Sequence, residues 1–497
     1  MHSPASSDPD TQSVRDVGWY ALLTVFAILV QGYHPGLEDD AYYLAAIRKD
    51  LNPALFPHDA DFFQLQFQAT IFDRLIAWSV RVTHLPLEWV VLAWHFTAIL
   101  LILWACGRIA GRCFREPHAR WAAVTLVAAV LTIPVAGTGL SLVDQYLHPR
   151  ALATAAILWA IAATLERRGR TAGVLLAVAA SIHIIMAAFG VSCCLFLAGR
   201  HRVVSRYRAL NAAGLAAMVL PLGWIFDPVS PAWQRAASTR TFYFLTQWQW
   251  YEWLGVFAPL LLFWIFYRIS RANGSTAMAR FAWRVLWFGA FQLAVGFAIM
   301  LPPQLERLRP LEPMRFLQLV YLLLFLLGGG LLGKYVLGSR PWRWAMLFVP
   351  LSFGMLYAQR QMYPASRHLE LPGAEQRNEW VRAFLWVRDN TPCESLFALD
   401  PRYMEIPGED FHGFRAIAAR SVLADNLKDP GMVARVPRLA DRWQAESQAQ
   451  NDWTSFQAAD FQRLKSRFGV DWVVLAKPVS GLHCPWRDAA VLVCRID

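Results

Sequence analysis

The 497-residue chain is 56% hydrophobic and 17% charged, with a formal net charge of +11. So low a charged fraction, against roughly 25% in soluble domains, excludes an ordinary soluble protein, and unremarkable Gly and Pro contents exclude a fibrous or disordered one. The positive charge lies in short arginine clusters between apolar runs, with no basic helix or RNA-binding motif, so no nucleic acid is expected as partner.

Residues 1–16 read as a polar cytoplasmic tail. The apolar run 17–32 reads as an uncleaved first span, because Val30-Gln31-Gly32-Tyr33 lacks a small-residue cleavage site. Further runs follow at 88–106, 120–137, 150–165, 171–183, 184–199, 209–226, 251–267, 283–301, 316–333 and 343–359. The fold class expected is an α-helical polytopic membrane protein of about eleven spans. Basic clusters close both ends of 171–199: Arg167, Arg168 and Arg170 before it, Arg200, Arg202, Arg206 and Arg208 after it. Both belong on the cytoplasmic side by the positive-inside rule, so the stretch turns back, with His183 at the bend. Arg108, Arg112, Arg280, Lys334 and Arg340 then share that side. The membrane part covers 17–361, and its acidic loop 33–87 lies outside with 138–149, 227–250 and 302–315.

After Gln361 the character changes. Pro364, Pro372 and Gly373 form a linker, and an amphipathic helix over Glu375–Arg388 stops at Asn390-Thr391-Pro392. Ser395–Leu399, Asp471–Ala476 and Ala490–Ile496 read as strands. Residues 362–497 are expected to be a small extracytoplasmic α/β domain, at about 130 residues large enough for a core of its own. Cys106, Cys193 and Cys194 lie in apolar runs as small hydrophobes. Cys484 and Cys494 bracket a hairpin and can pair in an oxidising compartment, leaving Cys393 over.

The outer loop opens with Glu38-Asp39-Asp40 directly after a span, where three carboxylates meet repulsion and a desolvation cost. A solvated cap is the plain explanation. A second acidic group, His58, Asp59 and Asp61, follows in the same loop. Residues 61–81 interleave aromatic and polar side chains, a pattern for one or two interfacial helices. Phe242–Trp253 is dense in aromatics, which an interfacial belt explains, or a surface for stacking a sugar or lipid. Asp144, His148 and Arg150 sit together before the 150–165 span, where Pro149 can begin a helix. Glu312 and Arg315 precede the 316–333 span. Each basic residue alone reads as a snorkelling side chain. Together, arginines suit a phosphate, and carboxylates suit a hydroxyl to be deprotonated or a divalent cation, Mg²⁺ or Mn²⁺, with His58, Asp59 and Asp61 as its candidate ligands. The match of Gly328–Lys334 to a phosphate loop is dismissed: Tyr335 stands where Ser or Thr is required, and the stretch ends a membrane helix.

With these features the chain resembles the GT-C superfamily of polyprenol-dependent glycosyltransferases, in a bacterial form. The resemblance rests on the first span followed by Glu38-Asp39-Asp40-Ala41-Tyr42-Tyr43, the paired short helices around His183 after the Arg150-led span, and the C-terminal domain. Asp40-Ala41-Tyr42-Tyr43 is similar to the acidic-aromatic motif of the oligosaccharyltransferase branch, but the tail has no WWD-type motif. Leu311-Glu312-Pro313-Met314-Arg315 is similar to a Pro/Arg stretch of several bacterial members.

The resemblance implies a multi-pass protein of the bacterial inner membrane with membrane lipids around it. It implies a polyprenyl-phosphate-linked sugar as donor and a glycan, lipid or protein as acceptor. Asp39 or Asp40 would be the base, with Glu38 and the other acid orienting the acceptor or a metal ion. Arg315, Arg150, His148 and His183 would hold the phosphate, with Asp144, Tyr42 and Tyr43 also at the substrate. The other class of function is a non-catalytic carrier or flippase of a lipid-linked glycan, or an envelope-polysaccharide assembly protein, which needs the arginines but no base.

Overall fold

The computed structural model describes residues 9–67, 70–199 and 229–497. The expected span 209–226 and the arginines at 200–208 lie outside these. The chain is a mostly helical multi-pass membrane protein with a small C-terminal sheet. Helices stand at the other expected spans: α1 (Pro9–Gln31), α5 (Leu87–Cys113), α6 (Pro117–Ala129), α7 (Pro149–Leu165), α8 (Gly169–Ile182), α9 (Ile184–Ala198), α11 (Trp250–Ala272), α12 (Thr276–Met300), α13 (Phe316–Leu332) and α14 (Pro341–Met362). Among the described residues, four helices are long and apolar enough to cross a bilayer, Leu87–Cys113, Trp250–Ala272, Thr276–Met300 and Pro313–Leu337. Shorter apolar helices accompany them at Val17–Gln31, Pro149–Leu165, Gly169–Ile182 and Ile184–Ala198.

One expected span is shorter than its apolar run. α6 ends at Ala129, and Pro134 pairs with Ser141 in an isolated bridge, so residues 130–148 form a buried hairpin-like loop. Pro134 cannot donate a helical hydrogen bond, and Gly139 at φ +66° turns the chain back. The break at His183 is as expected. Its extended backbone ends α8, and its side chain accepts from the Met186 N–H to start α9. Both short helices pack on α7 and on each other.

α13 is buried along nearly its whole length and packs on α6, α11 and α12. Its glycines let it lie close to α6: a Cβ on Gly329 would come within 2.7 Å of the Ala122 carbonyl, and one on Gly333 within 2.8 Å of Ala119 Cα. Small residues thus bring the two helices into backbone contact, as the dismissal of the phosphate-loop match requires. Trp264, Leu261, Met346, Phe353 and Tyr357 point outward from α11 and α14, a surface suited to lipid.

Between α1 and α5 the outer loop forms α2 (Asp40–Leu51), α3 (Asp61–Phe67) and α4 (Phe72–Thr83). α10 (Pro231–Ser238) precedes α11, with Ser230 capping its first turn. The tail opens with α15 (Glu379–Asn390), whose Asn378 carboxamide accepts from the Trp380 and Val381 N–H groups. A five-stranded sheet follows in the order β2 (Ser421–Val422), β1 (Leu396–Ala398), β3 (Trp472–Leu475), β5 (Leu492–Arg495), β4 (His483–Arg487). The β2, β1 and β3 neighbours run parallel, and β5 is antiparallel to β3 and β4. Cys484 and Cys494 are joined across β4 and β5, and Cys393 is a free thiol. Helices α16 (Phe414–Ala418), α17 (Asp429–Arg435), α18 (Ala440–Ala449) and α19 (Ala458–Phe468) complete the tail. Phe461, Leu464, Val473 and Leu492 form a core of the tail's own. Trp380, Phe384, Phe397, Phe414, Val433 and Trp443 instead belong to the same apolar cluster as α2 and the membrane helices. Most of the tail's interior is therefore shared with the rest of the chain.

Gly329→Val should force α6 and α13 apart, because the new side chain meets backbone that cannot rotate away. A loss of about 1–3 kcal/mol is expected for such overpacking, read as a lower thermal midpoint in nanodiscs. Gly328→Val is the control, since its Cβ would meet only Phe266, at 3.5 Å.

Candidate active site

The acidic turn is shaped by Gly36 at φ +89° and Glu38 at φ +51°. Glycine fits the first position, where a Cβ would also press on Ile417 at 3.0 Å. A glutamate in the left-handed region is uncommon, and such conformations persist where surrounding structure imposes them. Here the Glu38 N–H donates to the Phe411 carbonyl of the tail at 2.9 Å.

The turn separates the two candidate bases. Asp40 is buried, and its carboxylate accepts the Gly36 N–H at 2.8 Å, so it braces the turn from inside. Burial, then the neighbouring Asp144 and Asp39 charges, push its pKa well above the usual carboxylate range. Asp39 occupies the N-cap position of α2 yet makes no capping hydrogen bond with its side chain. That carboxylate is one-third exposed, and faces His148 Nε2 at 3.7 Å and Lys428 Nζ at 3.3 Å. Partial burial alone would raise its pKa. The Lys428 ammonium, His148 and Arg240 outweigh burial and hold Asp39 well below the usual range. Lys428 also contacts Glu38.

His148 caps α7 through Nδ1, which accepts the Arg150 N–H at 2.9 Å. Its ring proton is thereby placed on Nε2, the nitrogen facing Asp39. Burial and the nearby Arg150 charge lower its pKa, so the ring is neutral at pH 7. Tyr43 packs edge-on against the imidazole, ring centres 4.7 Å apart. Arg150, 2% exposed, gives Nη2 to both oxygens of Asp144 at 2.7 Å, while its Nε and Nη1 have no hydrogen-bond partner among the described residues.

A second basic group stands at the entrance to α13. Glu312, itself at φ +52°, pairs with Arg315 and accepts from Arg435 Nη2 at 2.8 Å. Arg315 lies within electrostatic reach of Arg150, Arg435 and Asp39. His183 is within reach of Arg315, His148 and Arg150. The Tyr42 hydroxyl is buried without a hydrogen-bond partner among the described residues, close to the charges of Asp429, Asp425 and Arg240. Beside Glu312, a cleft of 220 Å³ is lined by Trp233, Tyr243, Phe244, Glu306 and Arg309, with Arg309 over the Phe244 ring.

The structure thus gathers Glu38, Asp39, Asp144, His148, Arg150, His183, Arg315, Tyr42 and Tyr43 in one region. It does not gather the candidate metal ligands of the second acidic group. Asp59 is buried against Arg415 at 2.5 Å, His58 Nε2 meets the Glu394 carbonyl at 3.0 Å, and Asp61 is exposed at the start of α3. Among the described residues no three His, Cys, Asp or Glu side chains are arranged to hold a metal ion. Sequence reading missed Lys428, Arg435 and Arg240, all basic residues in stretches with no local pattern to mark them.

The turn is held by the tail. Residues 33–38 run between two tail segments, with Tyr33 N–H on the His368 carbonyl, Glu370 N–H on the Tyr33 carbonyl and Gly413 N–H on the Gly36 carbonyl. Glu370 bridges His34 Nδ1 at 2.9 Å and His412 Nε2 at 3.2 Å, all three buried. Burial opposes both charges. The His412 charge and the His34 hydrogen bond still hold Glu370 down at about 2, and Glu370 in turn raises His412 to about 9.

The His412 contribution to stability is therefore full below the ordinary histidine pKa, about 6.5, and lost as pH rises through about 9. That of Glu370 is full above its ordinary value of about 4.3 and lost as pH falls through about 2. Thermal stability in nanodiscs should be flat between these ordinary values and fall from pH 6.5 towards 9. His412→Gln should remove most of that alkaline decline; an unchanged slope would assign it to other groups.

No family model and no curated protein matches the chain. Among solved structures it is similar to the Archaeoglobus fulgidus oligosaccharyltransferase in the apo form, at 12% identity and a TM-score of 0.47, over 93% of this chain and 69% of that one. It is similar also to the archaeal oligosaccharyltransferase AglB from Archaeoglobus fulgidus in complex with an inhibitory peptide and a dolichol-phosphate, at 11% identity and a TM-score of 0.47, over the same shares of the two chains.

Proposed function

We propose that the protein transfers a sugar from a polyprenyl-phosphate-linked donor to an acceptor hydroxyl at the outer face of the membrane. One observation carries the reading: Asp39, a partly open carboxylate, stands among buried arginines that hold unused hydrogen-bonding capacity. A phosphate is already a competent leaving group, so the site needs a base for the acceptor and positive charge for the departing phosphate.

In a single displacement the acceptor oxygen forms a bond to the anomeric carbon as the carbon–oxygen bond to phosphate breaks. The electron pair leaves on the phosphate, the acceptor proton passes to Asp39, and the anomeric centre inverts. A base held below the usual carboxylate range takes that proton late, when bond formation has already made the hydroxyl acidic. Arg150 offers Nε and Nη1, and Arg315 and Arg435 share the single carboxylate of Glu312, leaving one net positive charge for the donor. Asp144 and Glu312 keep these arginines oriented before a donor arrives. The His148 ring faces the base across 3.7 Å.

The placement of the acidic loop and the tail outside the cell follows from the arginine-rich turns at Arg112, Arg168 and Arg280, which belong in the cytoplasm. The test is transfer of radiolabelled sugar from extracted polyprenyl-linked donors by membranes containing the protein. Asp39→Asn at normal membrane levels should lose turnover by roughly 10²–10⁴-fold with donor binding retained. Asp40→Asn, which can still accept from Gly36, should keep turnover within tenfold. Arg315→Ala should weaken donor use by about 1.5–3 kcal/mol, and Arg315→Lys by less. A carrier would give the reverse, with lipid movement indifferent to Asp39→Asn and lost with the arginines. Wild-type transfer by Asp39→Asn would end the reading.

A further inference from the structure

The acidic turn already has a cation, and it is part of the chain. Lys428 Nζ lies against Glu38 and 3.3 Å from Asp39, bridging the two consecutive carboxylates. Its own side chain is 6% exposed, whereas those of Glu38 and Asp39 are 37% and 34% exposed. A buried ammonium thus meets two open acids from behind.

Its position is built, not incidental. The Asp425 carboxylate accepts the N–H groups of Leu427, Lys428 and Asp429 at 2.8, 2.5 and 3.1 Å, fixing the turn that carries the lysine. The Lys428 carbonyl accepts from Arg240 at 3.0 Å. Gly431 makes room for that arginine, since a Cβ there would come within 2.4 Å of it. The next residue, Asp429, is held by both terminal nitrogens of Arg415 at 2.8 and 3.0 Å.

Two adjacent carboxylates on one turn ordinarily need a counter-ion, and a divalent metal is a common one. We propose that Lys428 takes that place: the ammonium offsets the repulsion of Glu38 and Asp39, keeps Asp39 directed at the acceptor, and makes sugar transfer independent of a metal ion. Lys428 is thereby a positioning residue contributed to the site by the C-terminal region. The part of this inference that concerns transfer rests on the reading given under Proposed function; the part that concerns the cation does not.

The full chain in nanodiscs, stripped with EDTA, should be titrated with Mn²⁺ and followed by electron paramagnetic resonance. Wild type should bind no Mn²⁺ in a manner sensitive to Glu38→Gln, and its transfer should be the same in EDTA as in Mn²⁺. Lys428→Met should lose transfer by about 10²-fold, the scale of a misplaced catalytic group, and should gain an Mn²⁺ site that the added Glu38→Gln removes. Added Mn²⁺ should restore part of the lost rate, which a purely structural lysine would not allow. Lys428→Arg, which keeps the charge, should transfer in EDTA within tenfold of wild type. The proposal is overturned if wild type binds Mn²⁺ through Glu38, if EDTA abolishes its transfer, or if Lys428→Met is fully active in EDTA. Should Lys428→Met not fold, the wild-type titration still decides. A wild type with no transfer at all would sink the functional reading while the Mn²⁺ result stands.

Discussion

Arg415 is the residue on which the geometry of the site depends. Its guanidinium is buried between Asp59 of the first outer loop and Asp429 of the tail, with Nε on the one and both terminal nitrogens on the other. Removing three such charges from water is costly, and only full pairing recovers the cost. What the chain gains is registration. Asp429 is the first residue of α17, so Lys428 just before it and Arg435 at its end are both set by this one contact. A single short helix therefore presents one cation to Asp39 and another to Glu312.

The same logic of polar registration recurs where Glu370 joins His34 to His412. Apolar packing alone, which is tolerant of small slips, fits the broad contact of the tail with α2. Hydrogen-bonded ion pairs are not tolerant of slips, and they occur where position matters, on each side of residues 33–38. The left-handed backbones of Glu38 and Glu312 fit this pattern, because both occur at acids that face arginine or lysine. Local strain there is imposed by contacts made elsewhere in the chain.

Much of this was legible in the sequence, and the reasons for the rest are physical. Apolar runs marked the helices because burial in lipid demands continuous hydrophobicity. His148-Pro149-Arg150 marked the start of α7, and Asn390-Thr391-Pro392 the end of α15, because caps and prolines act locally. Asp39 and Asp40 could not be told apart, since their burial depends on a turn at Gly36 and on tail residues that approach it. α6 ends before its apolar run does, because the loop after it is as apolar as the helix. β2 has only two residues, and β4, His483–Arg487, turns only Cys484 and Trp486 inward around Pro485, so neither carried the pattern of a strand. Lys428, Arg435 and Arg240 had no mark at all: a cation's partner more than a hundred positions away leaves no trace in its neighbours.

That distance along the chain has a temporal side. Residues 33–38 leave the ribosome early, whereas the segments that flank them, 368–370 and 411–413, arrive more than three hundred residues later. Until then the early segment has backbone groups with no partner in the finished pattern, and its acids face water. Contacts of such long sequence separation form late, after the loop between them has closed. The membrane helices can therefore be inserted and packed while the acidic turn is still incomplete, and a nascent chain arrested before residue 413 would occupy the membrane without the contacts that fix Glu38 and its neighbours.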